Sequence, residues 1–197
     1  MGLIKKSQVL NSNTLDLINN LVEIKDNSID SSKLSFNYFE KIADITCDAN
    51  TSQITINDLD GNNEEPYILF VKLKNVSTDT YVFRLFFNND ANANNYHYTA
   101  LFVESGSVTT AAGTGSYFTQ VDSNQSSISK CFIMRDVDNH IRFVSLSSAY
   151  NSVSTKLQIF NARYDTAVSN ITSIIIKSIP AEGIGAGSRI LLYRCRQ

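Results

Sequence analysis

The sequence predicts an all-β protein, an antiparallel β-sandwich with a jelly-roll topology, preceded by a short N-terminal helical or extended segment. Runs rich in β-branched and aromatic residues, several with period-two alternation, recur from about residue 50 onward between clusters of turn-forming residues. No helix-length pattern separates these runs, so the crossover helices of a parallel α/β sheet are missing. The predicted strands are residues 53–57, 67–74, 80–87, 96–104, 130–135, 141–146, 156–164, 171–179 and 188–194.

The connections between these runs contain the residues of tight turns. Residues 136–140 join two runs as a hairpin, because Asp and Asn tolerate the positive φ that such loops require. Residues 88–95 form a second polar loop of the same chemistry. The Gly- and Thr-rich stretch 105–116 is predicted to be a longer loop, with room for one poorly paired strand.

The first 45 residues differ in pattern from the rest, and we expect an anchor or oligomerisation segment over residues 1–45 and the sandwich over residues 46–197. Apolar residues recur at helical spacing over 15–22 and again over 36–42, which predicts two short helices. Because so narrow an apolar stripe does not stabilise itself, the segment must cover the following domain, copies of itself or a partner protein. The residues predicted to anchor it to a partner are Leu15, Ile18, Leu21, Val22, Ile24, Ile29 and Leu34.

The composition argues against catalysis and against nucleic acid. The chain of 197 residues has 2 His and 3 Cys, which are few for a catalytic centre, and a formal net charge of −2 at pH 7. That charge gives no electrostatic attraction to nucleic acid or to an anionic membrane. We therefore expect a structural or binding protein rather than an enzyme, without a cofactor.

The spacing of the cysteines and the first residues of the chain indicate the cellular compartment in which the protein is made. Cys47, Cys131 and Cys195 lie far apart and form no CxxC pair, so we expect small buried or half-buried thiols rather than a disulfide framework. The first residues lack the apolar stretch of a signal peptide, and no apolar run approaches the ~18 residues of a membrane span. The sequence thus predicts synthesis in the cytoplasm and no membrane partner.

An acidic loop over residues 58–65 is the best candidate for a metal site. Its oxygen ligands, Asp58, Asp60, Asn62 and Glu64, would suit calcium. However, the glycine is the fourth residue of the run, whereas an EF-hand loop needs it at the sixth. The pattern therefore favours a solvated hairpin tip, with calcium as the alternative.

Other chemical motifs favour structural interpretations. His97 and His140 have no carboxylate or cysteine at a ligand-like spacing, which favours ordinary surface or core histidines. The glycines of residues 183–187 precede a strand rather than a helix, so they favour a tight bend over a phosphate loop. Several tyrosines near Asn-rich loops, above all Tyr96 and Tyr98, are candidates for a glycan-binding surface.

Three stretches resemble tailed-bacteriophage virion proteins of the head-fibre and tail-fibre type. Residues 171–179, a glycine-rich connection and the sequence AGSRILLYR at 186–194 are similar to the C-terminal hairpin of those domains. The sequence LFFNND at 85–90, followed by NYHY at 95–98, is similar to a strand end and the next strand start in the same domains. Residues 24–34 are similar to the Ile-x-Asp-x-x-Ile segments before phage fibre heads, where three chains wind together.

The resemblance covers about residues 50–197 and implies a structural component of a virion assembled in a bacterial cytoplasm. It implies a trimer joined to other virion proteins through the N-terminal segment. With so short a chain, we expect a capsid-attached appendage, a head fibre or decoration protein. The alternatives are a tail adaptor or receptor-binding tip, or a stand-alone carbohydrate-binding module that binds a host-surface glycan. The composition, rich in Asn, Ile, Lys and Ser, suits a phage of a low-GC gut host, such as a crAss-like phage.

Overall fold

The computed structural model describes residues 15–18, 21–24, 39–59, 66–151 and 154–195. The chain divides into two compact units, Met1–Tyr38 and Phe39–Gln197. In the first unit, β1 (Leu15–Ile18) pairs antiparallel with β2 (Leu21–Ile24). The second unit begins at Phe39, earlier than the boundary expected at residue 46, because residues 39–45 belong to a strand of the sandwich.

The two helices predicted in the N-terminal part are wrong. Residues 15–18 and 21–24 form strands in which Leu15 lies opposite Ile24 and Ile18 opposite Leu21. The same aliphatic spacing fits two short antiparallel strands as well as it fits one face of a helix. Residues 39–42 belong to a strand that pairs with the last strand of the chain over Phe39–Thr46. This pairing with a distant part of the chain outweighs the helical spacing of the sequence.

The second unit consists of strands joined by turns, with one short 3-10 turn at Ala93–Asn95. Its strands are β3 (Phe39–Thr46), β4 (Gln53–Ile56), β5 (Tyr67–Lys74), β6 (Tyr81–Phe87), β7 (Tyr96–Glu104), β8 (Ser107–Thr114), β9 (Tyr117–Val121), β10 (Ser126–Arg135), β11 (Ile141–Asn151), β12 (Ser154–Tyr164), β13 (Ile174–Lys177) and β14 (Arg189–Cys195).

These strands form two antiparallel sheets packed as a sandwich, which confirms the predicted fold class. The large sheet has eight strands in the order β3-β14-β5-β10-β11-β12-β7-β8, and the small sheet has four in the order β4-β13-β6-β9. If β3, β4, β5, β6, β9, β10, β13 and β14 are numbered 1 to 8, the sheets read 1-8-3-6 and 2-7-4-5. This is the strand order of a jelly roll. The remaining strands, β11, β12, β7 and β8, extend the large sheet beyond β10.

Several strands appear where the sequence predicts them, and others do not. The runs predicted at 67–74 and 96–104 coincide with β5 and β7. Residues 107–114, in the predicted loop, form the edge strand β8, and β9 was not predicted at all. The predicted C-terminal hairpin is wrong, because β13 lies in the small sheet and β14 in the large one.

The connection from β13 to β14 therefore crosses between sheets, and its glycines have steric roles. A Cβ on Gly185 would lie 2.4 Å from Cγ1 of Val76. Gly187 has φ +84°, in the region where only glycine is unstrained. The structure thus supports the tight bend predicted for residues 183–187.

The core lies between the two sheets and is mostly aromatic and aliphatic. The small sheet contributes Phe83, Leu85 and Ile174, and the large sheet contributes Leu69 and Ile190, all without solvent exposure. Burying such side chains contributes about 1.5–3 kcal/mol each. Packing of these side chains between the two sheets fixes which face of β5 and of β14 points inward.

Beneath β9, however, the inward side chains of the large sheet are small and polar. Ser127, Ser129, Ser145 and Ser147 are buried there. The hydroxyl oxygen of Ser147 lies 2.8 Å from that of Ser129 and 3.1 Å from the carbonyl oxygen of Phe118 in β9. We call these four residues the serine seam; their small size lets β9 lie close to β10 and β11.

The free edge of β9 is held by one side chain. Gln158 in β12 is buried, and its amide accepts a hydrogen bond from the backbone N–H of Gln120 and donates one to the carbonyl of the same residue, both at 2.7 Å. The amide thus acts as the neighbouring strand that the edge of the small sheet lacks. Because both backbone groups are covered, an unpaired state would be costly.

We expect Gln158→Leu to lower the free energy of unfolding by about 2–4 kcal/mol, because it leaves two covered backbone groups without partners. Urea denaturation followed by circular dichroism measures this change. Gln120→Leu is the matched control, since the backbone of Gln120 makes both bonds and its side chain is only half-buried. Equal losses in the two variants would contradict this role of Gln158.

Candidate assembly surface

The face of the large sheet that points away from the small sheet, here called the outer face, carries exposed apolar side chains. Antiparallel sandwiches usually place polar residues at such positions. Here β5, β10, β11 and β12 carry seven outward apolar residues that are between 39% and 67% exposed, beside outward polar residues such as Lys72 and Ser148. They are Phe70, Ile128, Phe132, Met134, Val144, Leu146 and Leu157.

The register of the strands joins these side chains into continuous rows. In the middle row each residue lies opposite the next, in the order Leu191, Phe70, Lys130, Leu146, Ile159 and Leu101. The adjacent row runs Tyr193, Ile68, Phe132, Val144 and Asn161. Residues directly opposite on one face are close enough to contact. These two rows form a contiguous apolar strip, and the rows on either side mix apolar residues with Lys72 and Arg142.

The dimensions of this surface follow from strand geometry. From β14 to β7 there are five interstrand spacings, about 24 Å, and from Ile128 to Met134 the strand rises about 20 Å. The footprint is on the order of 500 Å², and a corrugated surface has a larger accessible area than its footprint. Polar residues such as Lys72, Ser148 and Arg142 occupy part of this rectangle, so its apolar part is comparable to the largest patch of an ordinary monomer, which is often a functional site.

One end of the outer face contains a recess of about 410 Å³. Phe39, Phe70 and Tyr193 provide its aromatic walls, and the rings of Phe70 and Tyr193 meet edge-on with centroids 6.0 Å apart. The Nζ atom of Lys130 lies 5.7 Å from the centroid of the Phe70 ring. An apolar side chain of a partner would be enclosed by aromatic rings here and approach one ammonium group.

Two arginines at the margin of the outer face are paired within the chain, whereas the outward Lys72 and Lys74 of β5 form no salt bridge among the described residues. Arg189 donates two hydrogen bonds of 2.9 Å to Asp44, which lowers the pKa of that carboxyl and raises the pKa of the guanidinium. Arg142 lies 2.6 Å from Asp136 and lowers the pKa of that carboxyl to about 2, with backbone N–H groups adding to the effect. Lys130 forms no salt bridge within the residues that the structure describes.

The sequence analysis missed this surface, although its signal is visible in the alternation of β10 and β11. Residues 126–131 read SSISKC and residues 144–149 read VSLSSA, so apolar and serine residues alternate. A pattern of apolar-inside and polar-outside would bury Ile128 and Leu146. The structure does the opposite, because Cys131, Ile133 and Phe143 on the same strands fix the phase and turn the serines inward.

The predicted glycan surface is wrong for Tyr96. Its side chain has no exposure, and its hydroxyl donates to the carbonyl of Asp90 at 3.0 Å and accepts from the backbone N–H of Phe87 at 2.9 Å. Burial raises the pKa of the hydroxyl. The ring stacks on buried Tyr164 with centroids 4.7 Å apart. Tyr96 therefore holds the connection between β6 and β7 and is not available to a sugar.

Tyr98 lies in a different environment. It is half-buried and packs against Tyr117, with ring centroids 4.6 Å apart. Arg84 lies over the Tyr117 ring, its Cζ 5.3 Å from the centroid. Tyr98 and Tyr117 thus keep part of their ring surface accessible, and a glycan role for Tyr98 stays a prediction.

Of the four predicted calcium ligands, only Asp58 is among the described residues. Asp58 is exposed and has φ 55°, a backbone conformation that Asp tolerates. Asp60, Asn62 and Glu64 lie outside the described residues. Within the described part of the chain, no group of three or more His, Cys, Asp or Glu side chains is placed to hold a metal ion. Calcium binding at residues 58–65 stays a prediction.

Both histidines contact groups of their own chain, and two of the three cysteines are buried. His97 is exposed and lies 2.8 Å from Asp165, a carboxylate that is distant in sequence. His140 lies 3.3 Å from the carbonyl oxygen of Tyr164. Cys47 and Cys131 are buried, which raises the pKa of both thiols, and Cys195 is half-buried. The expected burial of the three cysteines is confirmed.

Five of the predicted anchoring residues lie in the hairpin of the first unit. Leu15 and Ile18 are in β1, and Leu21, Val22 and Ile24 are in β2. Ile29 and Leu34 lie outside the described residues. Their anchoring role stays a prediction.

Comparisons with known proteins give no relative. No family model, no curated protein and no solved structure matches the chain. Within the described residues, no helix has the length and hydropathy that a membrane span requires.

We expect Tyr96→Phe to lower the free energy of unfolding by about 1–3 kcal/mol, because the N–H of Phe87 and the carbonyl of Asp90 lose a buried partner. Thermal and urea unfolding measure the loss. Tyr81→Phe is the control, since its hydroxyl makes only an exposed contact of 3.4 Å with Asp79. A Tyr96→Phe protein as stable as this control would show that the buried hydroxyl contributes nothing.

Asp136 gives a pH dependence whose sign follows from its lowered pKa. The folded-state pKa of about 2 lies below the ordinary value near 3.8, so the ionised carboxyl stabilises the fold above pH ~4. That contribution is lost as the pH falls from about 4 to about 2. We expect Asp136→Asn to lower the urea midpoint at pH 7 and to match the unaltered chain near pH 2.

Asp138→Asn is the control in the same turn, because Asp138 forms no salt bridge within the described residues. Its urea midpoint should follow that of the unaltered chain throughout. A gap for Asp136→Asn that stays constant between pH 7 and pH 2 would show that the pair with Arg142 does not stabilise the fold.

Proposed function

We propose that the chain is a structural component of a tailed-phage virion, a short capsid-attached appendage such as a head fibre or decoration protein. The observation that carries this proposal is the apolar outer face on a jelly-roll sandwich. So large an uncovered apolar surface calls for a protein neighbour, as in a permanent assembly. Jelly rolls also build viral capsids, although this is an analogy of fold alone.

In the sandwich, residues of the stretches that resemble phage virion proteins form hydrogen bonds with other strands and loops. In the last strand, the hydroxyl of Ser188 accepts a hydrogen bond from the backbone N–H of Lys74 at 3.0 Å, and Arg189 pairs with Asp44. In the earlier stretch, Asp90 accepts a hydrogen bond of 2.6 Å from Asn95 and one of 2.9 Å from Tyr164. Both stretches stabilise the sandwich, so they support a shared type of domain rather than a shared ligand site.

The first unit supports an anchoring role. A two-stranded hairpin alone is marginally stable in water, and in the register of β1 with β2 one pair joins Asp16 to Glu23. Aliphatic residues lie opposite each other in the remaining pairs, Leu15–Ile24, Leu17–Val22 and Ile18–Leu21. Contact with another protein would stabilise such a hairpin. Attachment to the virion through this segment, and the trimer that the resemblance implies, belong to the proposal.

A carbohydrate-binding module is the second candidate, and one observation favours it. Tyr98 and Tyr117 form a partly accessible aromatic pair beside Arg84, which is a surface on which a sugar ring can stack. The burial of Tyr96 removes the other half of the expected glycan surface. We therefore rank this candidate below the virion protein, together with the tail adaptor and receptor-binding tip.

Immunogold electron microscopy of particles from a phage that carries this gene tests the proposal. Antibodies against the chain should label the capsid, because a head appendage is exposed there. Label at the tail would replace the head fibre with the tail adaptor, and unlabelled particles would refute a virion role.

Deletion of residues 1–38 is the matched variant for the anchor. We expect the shortened protein, supplied during infection, to be missing from purified particles, while its circular dichroism retains the β signal of the sandwich. Incorporation at the level of the full chain would show that attachment does not depend on the first unit.

A further inference from the structure

We infer that the free edge of β8 binds an extended segment of a different protein, which adds to the large sheet as a further strand. β8 (Ser107–Thr114) is the last strand of that sheet and pairs with β7 along one side. In strand addition of this kind the backbone supplies the affinity, and the side chains of alternate residues supply the specificity. The inference goes beyond the proposed function and does not depend on it.

Alternate residues of β8 point their backbone groups away from β7. In an antiparallel pair, residues that exchange hydrogen bonds alternate with residues whose N–H and C=O groups face the other way. The N–H of Gly115 donates to the carbonyl of Tyr96 at 2.8 Å, which sets this alternation in the register of β7 with β8. The residues whose backbone groups face outward, without a partner among the described residues, are Val108, Thr110, Ala112 and Thr114.

Both edges of the small sheet, in contrast, are closed by side chains of this chain. At β9 the amide of Gln158 occupies the N–H and the C=O of Gln120. At β4 the hydroxyl of Thr51 accepts from the N–H of Gln53 at 3.3 Å and donates to the carbonyl of the same residue at 2.9 Å. Because β4 has four residues, this one side chain covers much of its edge.

The other edge of the large sheet, β3, is protected by charge and irregularity. Glu40, Lys41 and Asp44 lie along this strand, and its register with β14 shifts between Leu192 and Tyr193. Charged residues and bulges are common protections of an edge strand. β8 has neither, because its sequence SVTTAAGT is uncharged and lacks proline, and its register with β7 is regular throughout. β8 is therefore the edge of the sandwich that is open to another strand.

The side chains of β8 favour contact through the backbone. Apart from Ala111, which is half-buried, all of its residues are exposed, and they are serine, threonine, alanine, glycine and one valine. Side chains this small leave the outward N–H and C=O groups accessible. Since proline lacks the N–H that a ladder needs, the partner segment is an extended run without proline. Because β8 carries no charge, the partner needs none of its own.

One position along the edge selects a bulky side chain in the partner. Gly113 lies opposite Tyr98, and a Cβ on Gly113 would lie 3.5 Å from Cε1 of that ring. Because Gly113 has no side chain, a residue of the added strand reaches the Tyr98 ring across it. On this face a second copy of β8 offers Ser107, Thr109 and Ala111, which are too small to cover the ring. The partner is therefore a different protein, with an aromatic or long aliphatic residue at this position.

Titration of the ²H,¹⁵N-labelled full chain with a synthetic peptide, followed by NMR, tests the inference. The probe is acetyl-Lys-Thr-Val-Thr-Phe-Thr-Val-Thr-Lys-amide, in which the terminal lysines give solubility. We expect it to shift the amide signals of Val108, Thr110, Ala112 and Thr114 with a Kd below about 1 mM. The same peptide with every interior amide N-methylated keeps all side chains but has no interior donors, so it should bind at least about tenfold more weakly.

Variants of the edge provide the matched controls. Ala112→Pro removes one outward N–H and should weaken binding of the peptide at least about tenfold, whereas Ala112→Thr keeps that N–H and should bind like the unaltered chain. Thr110→Lys adds a charge to the edge without removing a backbone group, which guards against loss of folding. Its control is Val137→Lys, at an exposed residue of a turn. Circular dichroism shows whether each variant is folded.

Four results would overturn the inference. The first three are no shift with the peptide at about 1 mM, equal binding of the N-methylated peptide, and shifts confined to residues outside β8. The fourth is self-association in sedimentation velocity that Thr110→Lys abolishes and Val137→Lys does not, since a second copy would then occupy the edge. None of these results concerns the place of the protein on a particle, so immunogold labelling decides the proposed function separately.

Discussion

The hydrogen bonds between the amide of Gln158 and the backbone of Gln120 are the constraint on which the arrangement of the sandwich depends. They fix the free edge of β9 to β12, a strand that belongs to the other sheet. With β9 held so close, only small side chains fit beneath it, and the serine seam supplies them. The polar contacts of this region thus define where the small sheet ends and how near the two sheets lie.

The consequence of this close approach is an inverted distribution of apolar residues. Strands alternate, so once serines occupy the inward positions of β10 and β11, Ile128, Val144 and Leu146 must point outward. The outer face and the serine seam therefore both result from the alternation of side chains along β10 and β11. The core supplied by Phe83, Leu85 and the other buried side chains of the small sheet stabilises the chain, while the outward apolar residues stay exposed.

The sequence was sufficient for the fold class, because the alternation in runs such as 67–74 and 96–104 is local and strong. It was insufficient for the N-terminal strands, since four aliphatic residues at 15–22 fit a helix and a hairpin equally well. The outer face was not predictable from the alternation of residues 126–131, since period two does not specify which phase is inward. Cys131, Ile133 and Phe143, further along the same strands, fix that phase, and β9 then covers the inward serines. Tyr96 was misassigned for a similar reason, because its partners Asp90 and Phe87 are brought to it by the 88–95 loop.

The four strands that lie outside the jelly roll all belong to one of its two sheets. β7 and β8 are inserted in the connection between β6 and β9, and β11 and β12 in the connection between β10 and β13, yet all four extend the large sheet alone. Val144, Leu146, Leu157 and Leu101 belong to these inserted strands. Insertion or loss of two hairpins would therefore widen or narrow the outer face without altering the strand order of the sandwich. The extent of the exposed apolar surface is therefore independent of the eight strands that make up the jelly roll.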